Sequence, residues 1–82
     1  MITVTAIWTI RGGCTCNKCQ TGRHEYHAAV RDGGSEWPIC IKKSAYDELS
    51  GQADPNDYRD GGYIAFDRPI EWSDVFAEDR VP

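Results

Sequence analysis

Ile2, Val4, Ala6, Trp8 and Ile10 alternate with Thr3, Thr5, Thr9 and Arg11, a period of two in residues that are mostly β-branched. The pattern predicts a half-buried strand with Trp8 on its apolar face, and Ile7 is the one interruption on the outer face. Gly12-Gly13 ends it. Beyond residues 14–22, His24 to Arg31 reads as a second strand and Asp32-Gly33-Gly34 as a turn. Trp37 to Lys42 reads as a third strand, with Pro38 at an edge or a strand entrance. A hairpin through Asp32 to Glu36 would set Cys40 opposite about Ala28.

The pattern then changes. Ser44-Ala45-Tyr46-Asp47 fits a capping box and Gly51 a helix C′ position, which predicts a short helix. Gln52 to Gly62 has loop chemistry, Tyr63 to Asp67 is extended again, and Pro69 interrupts it. Ile70 to Pro82 reads either as a last helical turn capped by Ser73 or as an irregular strap. The expected fold is α+β and β-rich: a small antiparallel sheet of three to four strands, one short helix and a cysteine-rich, zinc-knuckle-like loop. One domain over 1–82 is expected. Its first part, 1–43, would be basic β-hairpins with the cysteine loop, and 44–82 a short helix, loop, strand and acidic tail.

Length makes the cysteines matter. A chain of 82 residues buries a modest core, which alone supplies roughly 3–5 kcal/mol, so a staple is expected. Met1 to Thr5 shows none of the features of a secretion signal, and no apolar run approaches the roughly 20 residues that cross a bilayer. A cytoplasmic, reducing setting follows as the expectation, and there clustered thiols point to metal or redox chemistry.

Cys14-Thr15-Cys16-Asn17-Lys18-Cys19 places three of the four cysteines within six residues. A C-x-x-C turn lets two thiolates converge on one ion while turn amides face the sulfurs. Structural zinc takes four ligands, so Cys14, Cys16, Cys19 and Cys40 form the expected set, with His24 or His27 as a substitute ligand. The segment around Cys16 and Cys19 resembles half of a zinc ribbon, with Cys40 standing alone where a ribbon has a second C-x-x-C. The expected cofactor is thus a structural Zn2+.

Charge adds a second clue. The chain carries a net charge of -4, but residues 1–43 sum to a positive charge and 44–82 to a strongly negative one. Asp47, Glu48, Asp54, Asp57, Asp60, Glu71 and Asp74 can present carboxylates to a basic protein surface in the manner of a phosphate backbone, with Tyr46, Tyr58, Tyr63, Trp72 and Phe76 among them. A protein partner with a basic surface is the expectation. A pI near 4.9 opposes a dedicated DNA binder, although Arg11, Lys18 and Arg23 with Trp8, Tyr26 or Trp37 as stacking groups would suit a zinc-ribbon-like nucleic-acid adaptor.

Catalytic constellations are missing from the pattern. His24-Glu25 has no downstream P-C-x-x-C, so a deaminase site is excluded. Cys16-Asn17-Lys18-Cys19 opens no helix of the thioredoxin kind, and the paired glycines match no phosphate loop. The expectation is a non-enzymatic, zinc-stabilised interaction module that inhibits a nucleic-acid-handling complex. In size and charge the chain is similar to phage-encoded inhibitors of host defence nucleases, anti-CRISPR proteins among them, a likeness carried by no motif. A small redox or metal-transfer protein using Cys16 and Cys19 is the third reading.

Overall fold

A computed structural model describes residues 2–9 and 26–72. The strands are β1 (Ile2–Trp8), β2 (Tyr26–Asp32), β3 (Ser35–Ile41), β4 (Tyr58–Asp60) and β5 (Tyr63–Glu71), and the helix α1 spans Lys43–Gly51. They form one antiparallel sheet in the order β3-β2-β1-β5-β4. The fold is therefore α+β and β-rich, with five strands among the described residues and not the expected three to four. Because β5 lies beside β1, the basic first half and the acidic second half share one sheet.

A bulge in β1 decides which residues meet. Val4 pairs with Val30 and Ala6 with Ala29, so Thr5 is the extra residue on β1. Its hydroxyl donates a long hydrogen bond, 3.4 Å, to the Ala29 carbonyl. One additional residue reverses the alternation downstream. Ile7 thereby joins Val4 in the core beside Ala28, Val30, Ile39, Ile41 and Ile64, and the expected outer-face interruption is a core residue. Trp8 passes to the other side of the sheet, contrary to its expected place on the core face.

Helix α1 covers the aliphatic face. Ala45 and Leu49, one turn apart, are its buried residues, and it packs on β1 and β2. Burial of a leucine such as Leu49 contributes about 1.5–3 kcal/mol. The expected capping box does not form: Lys42 occupies the N-cap without a side-chain cap, and Asp47 instead accepts an ion pair from Lys43 Nζ at 2.7 Å. Gly51 belongs to the last turn, and Gln52 is the C-cap. The Tyr46 hydroxyl donates to the Gly62 carbonyl at 2.9 Å and ties α1 to the β4–β5 turn.

Both hairpin turns have two glycines, with positive φ at the first (Gly33, 61°; Gly61, 60°), the pattern of a II′ turn. The two-residue turn at Gly33-Gly34 pairs Asp32 with Ser35, so Cys40 falls opposite His27 and not Ala28. Strand β4 occupies residues read from sequence as loop, because three exposed residues carry no burial pattern. Strand β5 continues through Pro69. Between Ala65 and Ile70 it leaves the regular register with β1, and a proline without an N–H is tolerated there. Asp57 supports that stretch: its Oδ1 accepts from the Asp67 amide at 2.7 Å and its Oδ2 from the Asp54 amide at 2.9 Å.

Candidate functional site

The face opposite α1 is built differently. Register and alternation place Ala6 and Trp8 of β1, His27 and Ala29 of β2, Cys40 of β3, Tyr63 and Ala65 of β5, and Tyr58 and Asp60 of β4 on this side. Small residues alternate with rings. The rings follow one another across the sheet: Tyr58 meets Tyr63 edge-on at 6.3 Å, Tyr63 lies 6.3 Å from Trp8, and Trp8 stacks on His27 at 5.7 Å with 26° between planes. Beside His27 stands Cys40.

Exposure grades along this row. His27 is fully buried and Cys40 is 5% exposed, Trp8 and Tyr63 are half-buried, and Tyr58 is 60% exposed. One end of the face is closed and the other open to solvent.

At the closed end, the direct cross-strand pairing of His27 with Cys40 brings their Cβ atoms to roughly 4.5–5.5 Å. Trp8 ends β1 and pairs with His27, the second residue of β2. The predicted ligands Cys14, Cys16, Cys19 and His24 lie outside the described residues. Among the described residues no group of three or more His, Cys, Asp or Glu side chains is gathered around a metal position.

The predicted acidic partner face resolves into residues with different local roles. Glu48, Asp60 and Glu71 are exposed, Asp47 is paired with Lys43, and Asp54 Oδ1 accepts from the Asn56 amide at 2.8 Å. Asp57 is committed to the backbone. Amide donation from Asp67, then from Asp54, holds its carboxyl below the usual carboxylate range. Lys43 is raised by its hydrogen bond and charge interaction with Asp47, and burial pushes the Tyr46 phenol up. Asp74 lies outside the described residues.

Of the aromatics expected to stack on bases, Tyr26 and Trp37 pack against the aliphatic core, and Tyr26 lies 5.2 Å from the Tyr46 ring. Trp8 alone of the three is on the opposite face. Among the described residues no helix is long and apolar enough to cross a membrane. Comparisons with protein-family models, curated proteins and solved structures return no match.

Proposed function

We propose that the chain is a non-catalytic protein-interaction module, stapled by one structural zinc ion, whose acidic surface docks on a basic protein and obstructs it. A complex that handles nucleic acid is the partner such a surface suits, since its phosphate-binding groove is basic. The reading rests on one observation. Cys40 and His27 pair directly on the buried end of the sheet, beside the last residue of β1; in the sequence the other three cysteines fall between β1 and β2. Cys40 with Cys14, Cys16 and Cys19 is the proposed donor set, with His24 or His27 as the substitute for one of them. A thiolate-rich closed site suits structural zinc and leaves no open position for hydrolytic chemistry.

The docking half is supported by Glu48, Asp60 and Glu71, which are exposed on α1, β4 and β5. Such charges steer association and set partner choice.

Native mass spectrometry of freshly purified protein tests the zinc: one ion per chain is expected, lost on EDTA treatment and on Cys40→Ser. A metal-free protein that melts cooperatively and ignores EDTA overturns it. For docking, wild type and a Glu48→Lys, Asp60→Lys, Glu71→Lys variant are compared as baits. A partner retained equally by both overturns the acidic-surface reading.

A further inference from the structure

The open end of the aromatic row is the feature that the proposed function leaves unused. Tyr58 and Asp60 lie two residues apart on β4, so both side chains emerge on the face opposite α1. Tyr63 stands directly across from Asp60, and the Tyr58 and Tyr63 rings meet at 66°. Tyr58 is the one large hydrophobic side chain among the described residues that is markedly exposed, at 60%. Among the described residues β4 is also an edge strand, with no further strand beside Tyr58 and Asp60 on that side.

A tyrosine ring and a carboxylate on the edge strand β4, beside the Tyr63 ring of β5, are a poor surface for an anion and a good one for a cation. A guanidinium fits best: it is planar, stacks on an aromatic face and meets a carboxylate with paired donors. Among the described residues, the cation beside them on β4 is on the other side of the sheet. Arg59 alternates away from Tyr58, and its charge acts on Tyr46 of α1.

The geometry points to Tyr58, Tyr63 and Asp60 forming the anchor notch that seats an arginine side chain of a basic protein partner. This rests on the proposed acidic docking surface and specifies where on it the partner is read. The surrounding negative charge would bring a basic segment to the surface, and the notch would select arginine over lysine there.

A nine-residue arginine peptide and its lysine counterpart, measured by titration calorimetry at fixed ionic strength, provide the test. Wild type should bind the arginine peptide more tightly than the lysine peptide. Tyr58→Ala should weaken arginine-peptide binding about two- to fivefold, the scale of one exposed cation–π contact, and bring the two peptides level. Tyr58→Phe, which keeps the ring, should remain within about twofold of wild type on the same scale. Glu48→Lys, on the helix, should weaken both peptides alike.

If Tyr58→Ala retains both affinity and arginine preference while Glu48→Lys weakens binding, the notch is overturned and the acidic surface stands. If wild type binds neither peptide even at low salt, the docking surface falls and the notch with it.

Discussion

The two faces of the sheet solve different problems with the same five strands. The face under α1 is aliphatic and closed by local chain: Ala45 and Leu49 follow directly after β3 and cover Val4, Ile7, Ala28 and Val30. The opposite face carries rings, alanines, a buried histidine and a buried cysteine, and its exposure rises from His27 to Tyr58. The difference teaches that ordinary packing accounts for the first face. The second combines a buried polar end, at His27 and Cys40, with an end left to solvent.

The sharpest way to break this contrast is metal removal. If zinc closes the His27–Cys40 end, EDTA should abolish cooperative melting or lower its midpoint more than any single core substitution, because a structural zinc is worth on the order of 10–16 kcal/mol of apparent binding energy. Circular dichroism against temperature measures it, and an unchanged curve removes the metal from the second face.

Leu49→Ala attacks the first face and should cost roughly 2–5 kcal/mol by chemical denaturation. Zinc stoichiometry in the folded fraction should be unchanged. A loss of metal from still-folded Leu49→Ala would mean that the two faces are not separable.

A smaller effect distinguishes the turns. A Cβ on Gly62 would run into the Thr9 hydroxyl, whereas one on Gly34 would meet nothing within 4 Å. Gly62→Ala is expected to cost about 1–3 kcal/mol from overpacking, and Gly34→Ala, at an exposed position, to stay within about 0.5 kcal/mol of wild type. Equal melting temperatures for the two variants would contradict the packed placement of the β4–β5 turn.

The least effect concerns acid. The folded Asp57 carboxyl lies below its ordinary value of 3.8, chiefly through the Asp67 amide. The unfolded chain therefore binds this proton first as pH falls. The stability Asp57 contributes is present above about pH 4 and is lost as pH drops through the folded value. Asp57→Asn should thus show a shallower decline in melting temperature below about pH 4 than wild type, and a parallel decline would rule out this carboxylate as a source of acid sensitivity.

Much of the first face was legible in the sequence. The alternation in Ile2 to Trp8 and the single break at Ile7 were both visible, but a break can be an exposed apolar residue or the trace of a bulge. Only pairing with β2 shows that Thr5 is the extra residue and that Trp8 changes sides. The same limit applies to Cys40: moving the turn by one position exchanges faces, and the Gly33-Gly34 dipeptide was the signal for the tighter turn. β4 gave no signal because its stability derives from β5 and not from burial of its own residues. The charged positions were visible, but not that Asp57 spends its oxygens on backbone amides, since its partner amide at Asp67 is ten residues away.

The placement of β5 next to β1 has a consequence for how the molecule is made. Thr3 finds its partner at Glu71, so the central strand waits for synthesis to reach residue 71 before its second neighbour is complete. Contacts this distant form slowly, and until they do the nascent hairpin of β2 and β3 presents β1 with one bare edge. A truncated translation product ending before β5 should accordingly be a sticky, protease-sensitive species and not a smaller working version of the protein.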